Sequence, residues 1–315
     1  MATVEMPALD GQGALGFLAA LGLARMLDSV GVSPLALSFS RASAAAQLHS
    51  PLVSVDEVAD KLQTLVAGSP DGAVVGLDSR FPLRAGQRGG DPMRRPREKF
   101  RDLLQEMHAL DARAEAEWMP CLFTDLAVDA QGRADLTPFC APSGKQNLRT
   151  FFDTPLSAIR CNPALLKEAL TQWRRIDGFT GEYLDHRVIN SAADDPAGRT
   201  GAERGVPGAT WLATMAIPML RLSGDGKRIE ATLWYRPGRR PVMIWPLWDR
   251  PLNVRAIRVL IEHPCLTPID DVPTVRDNAW PALGIFAVCG AERQELPQRK
   301  FAGVLAPRQV AVRSQ

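Results

Sequence analysis

No two cysteines of this chain stand in the C-x-x-C spacing of a zinc or redox site. The five lie scattered at 121, 140, 161, 265 and 289 of 315 residues. Such an odd, dispersed set reads as reduced thiols in a cytosolic protein. The four histidines, at 49, 108, 186 and 263, are equally scattered and offer no metal-ligand spacing. Long apolar runs are missing too. The stretch at 14–27 is interrupted by Arg25 and falls short of the ~20 residues that span a bilayer. Residues 1–13 hold no lysine or arginine but do hold Glu5 and Asp10, so the positive start of a secretion signal is absent. The expected location is cytoplasmic, with no membrane partner. Net charge is only +2, so the overall balance does not announce a polyanion. There is no internal repeat and no low-complexity tract.

The signatures of common enzymes are absent as well. There is no G-x-S-x-G and no H-E-x-x-H. "APSGKQNLR" at 141–149 contains Gly144-Lys145, but a phosphate-binding P-loop needs glycine at 139 and serine or threonine at 146, where Phe139 and Gln146 stand. Asp194-Asp195 and Asp270-Asp271 read as solvated loop pairs. The expectation is a protein without catalytic function or cofactor. Asp125, Asp129, Asp194 and Asp195 are the carboxylates that would matter if it were a nuclease. The alternative is an uncharacterised enzyme, or a nucleotide-phosphate binder using the Gly144-Lys145 turn.

"LDGQGALGFLAALGLARML" at 9–27 spells G-x-G-x-x-G at Gly11, Gly13 and Gly16. A dinucleotide-binding turn also needs an acidic residue about 20 positions on, at the end of the next strand. The next strand-like stretch, 35–43, ends in Arg41 and Ala42-Ser43 instead. The run is better read as a buried helix, apolar nearly all round, with Gly16 and Gly22 letting neighbours pack closely.

Periodicity places a weak strand at 2–8, a helix at 54–68 capped by Ser54 and Glu57, and a buried strand at 72–78. A loop at 80–101 leads into a helix that runs on to Trp118. Then come a hairpin over 121–139 turning at Gln131-Gly132, a helix at 162–175, and a polar loop at 176–206. A buried helix at 209–220 is cut by Pro218. A hairpin carries "RPGRR" at its tip, and an amphipathic helix spans 253–263. Helices and short hairpins without a βαβ rhythm make the expected class α+β. The chain divides into an N-terminal region, 1–150, bearing the basic loop, and a C-terminal region, 151–315, bearing the basic hairpin and amphipathic helix.

What is present is positive charge gathered in patches. Residues 84–101 hold seven Lys/Arg against two acids, a local net of +5. Residues 219–258 hold nine against three, a net of +6. The first 70 residues are net −3. Arginine dominates, which suits bidentate phosphate contacts. The candidate nucleic-acid contacts are Arg84, Arg88, Arg94, Arg95, Arg97 and Lys99 in the loop, with Arg239 and Arg240 on the hairpin and Arg255 and Arg258 on the amphipathic helix. "SGKQN" and the residues after it add Lys145, Gln146, Asn147 and Arg149, whose amides and cations suit base edges as well as phosphates. A plain solvated surface is the competing reading.

"ALGFLAALGLARML", "PSGKQNLRTFF", "PGATWLATMAIPMLR" and "PLWDRPLNVRAIRVLIEHP" together resemble CRISPR-associated proteins of type I-U and I-G interference loci, at the large-subunit position. The resemblance spans most of the chain through short motifs. It implies a non-catalytic subunit of a Cascade-type RNA-guided complex. Such a subunit contacts guide RNA and the duplex DNA flanking the target, helps open it, joins the other backbone subunits, and offers a surface to the helicase-nuclease. A separate small helical subunit would complete the role.

Overall fold

The structure is a computed structural model describing residues 1–71, 74–85, 90–140, 147–189, 203–294 and 303–314. Strand β1 (Ala2–Asp10) leads into helix α1 (Ala14–Ser29). Strands β2 (Ala36–Phe39) and β3 (Ala45–Ser50) form a hairpin, giving an antiparallel sheet in the order β1-β3-β2. Pro7 is tolerated because the β1–β3 register breaks between Met6 and Asp10. This sheet disposes of the dinucleotide reading, which requires parallel strands. The glycines serve packing instead. A side chain on Gly11 would overlap Phe39 and Leu247, and one on Gly16 would overlap the Asp10 backbone.

Helix α2 (Val55–Ala67) starts where expected: the Ser54 hydroxyl accepts from the Glu57 N–H, and Val58, Leu62 and Val66 face inward. The strand expected at 72–78 does not form in its described part. Val74 to Leu77 is a turn, with Gly76 at φ +82°. A single 3₁₀ turn at Arg97–Lys99 precedes α3 (Phe100–Leu110). The expected continuous helix stops at Asp111, which is extended and whose Oδ1 accepts the Arg113 N–H at 2.8 Å. It resumes as a π-helical turn, Ala114–Trp118, and runs into α4 (Met119–Leu122). Strands β4 (Phe123–Val128) and β5 (Ala134–Leu136) make the expected hairpin, its turn shaped by the Asp129 carboxylate accepting from Gln131 and Arg133 N–H.

Helix α5 (Leu148–Cys161) crosses the 150/151 boundary and joins α6 (Ala164–Thr171) at the Asn162-Pro163 corner. Two short strands, β6 (Ile176–Asp177) and β7 (Arg204–Gly205), pair before α7 (Pro207–Met215), whose first turn holds Pro207. Pro218 then imposes a 3₁₀ turn. A meander follows: β8 (Leu222–Gly224), β9 (Ile229–Ala231), β10 (Trp234–Tyr235) and β11 (Val242–Trp248). Helix α8 (Val254–Ile261) buries Val254, Ile257, Leu260 and Ile261, and its Asn253 cap accepts from Ala256 N–H. The remaining elements are β12 (Thr274–Arg276), α9 (Trp280–Leu283), β13 (Ile285–Gln294), β14 (Val304–Pro307) and β15 (Ala311–Arg313). The main sheet runs β14-β13-β11-β10-β9-β8. The fold class is α+β.

One large hydrophobic core runs through both halves, from Val4 to Leu305. At its centre α1 lies against α7. A methyl group on Gly22 would overlap the Leu212 carbonyl, so the two backbones touch only because that position is glycine. Strand β11, "VMIWPLW", is buried throughout. Its indoles bind the N-terminal third: Trp245 Nε1 donates to the Gly11 carbonyl at 2.7 Å and Trp248 Nε1 to the Leu37 carbonyl at 2.8 Å. Neither half is therefore an independent domain. Among the described residues no helix is long and apolar enough to cross a membrane.

A second buried feature is polar. The Arg293 guanidinium donates to the carbonyls of Tyr183, Gly303, Pro138 and Phe139 at 2.9–3.1 Å, tying three segments together. Beside it Glu182 is 3% exposed in a run of left-handed residues, Gly181, Glu182 and Tyr183, at φ +57°, +52° and +57°. Burial pushes the Glu182 carboxyl up to about 8, although Arg293 pulls the other way. Burial likewise pushes Arg293 down to about 10.

Candidate nucleic-acid interface

The basic residues singled out from sequence divide into two kinds. Some are structural. Arg149 is 5% exposed: Nε donates to Asp153 at 2.6 Å, and Nη1 to the carbonyls of Ser79 at 2.7 Å and Pro82 at 3.1 Å. A buried loop without regular strands leaves carbonyls in need of donors, and Arg149 supplies them. It is closed to phosphate. Asn147 is a helix cap rather than a base reader. Its side chain accepts from Thr150 N–H while Thr150 Oγ1 accepts from Asn147 N–H, each at 3.0 Å. Arg94 donates to Asp129 at 2.7 Å and is enclosed. Arg95 donates to Glu106 at 3.1 Å and to the Pro92 carbonyl at 2.8 Å.

Residues 91–93 of the loop are held by one of its two acids. Asp91 Oδ2 accepts from Leu148 N–H at 2.6 Å and Oδ1 from Met93 N–H at 2.9 Å, so the basic segment is pinned to the first turn of α5. Burial pushes the Asp91 carboxyl up against those two hydrogen bonds. Asp129 goes the other way. Burial alone would raise it, but the Arg133 backbone N–H and guanidinium outweigh that and hold it below its usual range. Arg94 and Arg133 grip this carboxylate from two sides, at 2.7 and 2.8 Å. Asp129 is thus a turn former bound to two arginines, and among the described residues no three ligand-type side chains are placed to hold a metal.

Other basic residues are exposed, and the fold brings them together. Arg97 leans onto the β4–β5 hairpin, Nε donating to the Asp125 carbonyl at 2.7 Å. The β8–β9 turn packs on that same hairpin: Gly226 N–H donates to the Leu126 carbonyl at 2.7 Å, and Gly224 lies against the Leu126 backbone too closely for a side chain. That turn presents Lys227 and Arg228, both exposed and without an ion pair among the described residues. Its one acid, Asp225, accepts both their backbone N–H groups at 2.8 Å. In an antiparallel meander alternate turns share one end. The β10–β11 tip, bearing exposed Arg239 and Arg240, therefore emerges on the same side as Lys227 and Arg228, two strand spacings or about 10 Å away. The result is a basic belt: Arg97, Lys227-Arg228, Arg239-Arg240, with exposed Leu126 amid it.

Arg84 and Lys99 are exposed and without an ion pair among the described residues, as are Arg255 and Arg258 on the outer face of α8. Arg88, Lys145, Gln146, Asp194 and Asp195 lie outside the described residues, as does Gly144. The sequence reading missed Lys227 and Arg228 as contacts. The signal was available: "SGDGKRIE" is a tight turn with two cations at its exit. What sequence could not supply was the neighbour that turn packs on.

In comparisons with known proteins, no family model matches the chain and no curated protein matches it.

Proposed function

We propose that this protein is a non-catalytic nucleic-acid-binding subunit of an RNA-guided, Cascade-type antiviral effector complex. In this reading it contacts guide RNA and the duplex DNA flanking the target, reads the short flanking motif, and helps open the R-loop. It docks on the backbone subunits of that complex and recruits the helicase-nuclease from the cytoplasm. One observation carries the nucleic-acid part: Arg97 and the two basic turns of the 222–248 meander, more than a hundred residues further on, lie at one end of the main sheet with cations that form no ion pair among the described residues. The family resemblance of the sequence carries the rest. Cations so arranged release counterions when phosphates replace solvent, which makes binding strongly salt-dependent. The belt binds backbone and so positions the protein, while guide pairing supplies sequence.

The deciding experiment is purification of the tagged protein from cells expressing its neighbouring genes, with sequencing of the RNA retained at high purity. Repeat-derived guide RNA, lost when Lys227 and Arg228 are both reversed to glutamate, supports the reading. A stable, folded protein that retains no RNA and binds no duplex at low salt overturns it.

A further inference from the structure

Arg221 stands just before β8, at the end opposite the belt, ~13 Å away by strand rise over the four residues to Asp225. Here α8 faces the segment 116–121 across an open cleft of about 410 Å³. Its lips are apolar. Pro120 stands on one side and Val259, 70% exposed, on the other, with buried Met219 beneath. Two carboxylates border it, each only half engaged. Glu117 Oε2 accepts from Arg25 at 3.2 Å, and Glu262 Oε1 from Arg221 at 3.3 Å and the Thr232 hydroxyl at 2.8 Å. Neither Glu117 Oε1 nor Glu262 Oε2 has a hydrogen bond among the described residues. Arg258 also lines the rim, exposed and without an ion pair among the described residues.

These groups define an occupant. The free cation asks for an anion. The two apolar lips over Met219 fit a flat ring. The free carboxylate oxygens are acceptors only, so they ask for N–H donors on the ring edge. The volume falls at the low end of small-ligand sites, about 300–1,000 Å³. We propose that the cleft takes one unpaired nucleotide of a strand that runs on from the belt toward α8, its phosphate on Arg258, its base between Pro120 and Val259, and an exocyclic amine on the Glu117 and Glu262 oxygens. Bases bearing that amine, cytosine, adenine and guanine, are accepted. Thymine and uracil offer a single N–H flanked by two carbonyls that face the carboxylates, and are disfavoured. This rests on the nucleic-acid reading of the belt, and adds to it a base preference within single strands.

The test is fluorescence anisotropy of the full-length protein at pH 7.5 with labelled 12-nucleotide strands of deoxycytidine and of thymidine. The parent is expected to hold the cytosine strand at least 5-fold more tightly. Glu117→Gln and Val259→Trp, the latter at an exposed position that tolerates bulk, are each expected to bring that ratio below 2 while thermal unfolding stays cooperative. A strand carrying one 5-iododeoxycytidine should form ultraviolet crosslinks to peptides containing 116–121 or 258–262. Binding with a parent ratio below 2, a ratio that survives both substitutions, or crosslinks only elsewhere overturns the cleft and leaves the belt standing. No binding of either strand by folded protein overturns the belt reading and the cleft with it.

Discussion

The α1–α7 seam and the basic belt are built on opposite principles. At the seam, fit decides everything: Gly22 meets the Leu212 carbonyl with no room for a methyl group, and nearly every side chain of α1 is enclosed. At the belt, short turns carry exposed cations that form no ion pair among the described residues, and their positions come from contacts with backbone such as Gly226 to Leu126 and Arg97 to the Asp125 carbonyl. Substitution at the seam should therefore act on folding. At the belt it should act on affinity and leave folding alone. Arginines test the distinction best, because Arg149 and Arg97 are near neighbours in type and region yet belong to opposite principles.

The strongest way to break the seam is Gly22→Val. Overpacking against backbone has no relaxed solution, and a loss above about 4 kcal/mol is expected, enough to abolish cooperative urea unfolding. A variant that unfolds with the parent's midpoint would refute the seam. Next is Arg149→Ala, which strips buried carbonyls and Asp153 of their donor. The expected cost is about 2–4 kcal/mol by denaturant titration. Affinity for DNA, corrected for the folded fraction, should not change. A weakened salt dependence would instead place Arg149 on the interface.

The third prediction uses pH. Glu182 is held uncharged, with its carboxyl at about 8 in the folded protein against 4.5 ordinarily. The unfolded chain sheds that proton first, so stability is full below about pH 4.5, falls as pH rises, and levels off above about 8. Arg293 and Cys140 are the groups facing it, and burial raises the Cys140 thiol beyond the range concerned. Glu182→Gln mimics the neutral acid. It should flatten the parent's decline across that window and be the more stable protein at pH 8. Parallel curves for the two would remove Glu182 as the cause. The smallest effect on stability, within about 0.5 kcal/mol, is expected for Lys227→Ala with Arg228→Ala. The same pair should lower the slope of log affinity against log salt by about one per lost phosphate contact. An unchanged slope would detach the β8–β9 turn from the interface.

Local chemistry made the capped helices readable. Ser54 with Glu57, and Asn162 with Pro163 before α6, each declare a terminus by satisfying or dispensing with an end N–H, whereas the Asn253 cap and the start at Pro207 emerge only from the structure. Elements held by tertiary contact were not readable. "AAQLHS" lacks the β-branched residues of a typical strand, yet forms β3 because it lies between β1 and β2. Helix α5 was hidden by Pro155 and by reading Asn147 and Arg149 as contacts rather than as cap and anchor. The stretch at 72–78 looked like a strand from its valines, but described residues 74–77 turn where Gly76 takes a left-handed conformation. As for the belt, its charges were countable in sequence, but which of them acids or carbonyls would claim depends on partners dozens of residues away, such as Asp129 for Arg94 and Ser79 for Arg149.

The indole bonds from β11 back to Gly11 and Leu37 also set an order of events during synthesis. Trp245 reaches Gly11 across 234 positions, and Met215, at the end of α7, meets Arg25 of α1 across 190. Ribosomes add roughly 5–20 residues per second, so the apolar α1 emerges some 10–40 s before the helix that covers it. Throughout that interval the nascent chain carries a sticky, unpaired helix. This protein should lean on chaperones when translated quickly, and slower elongation or lower temperature should raise its soluble yield.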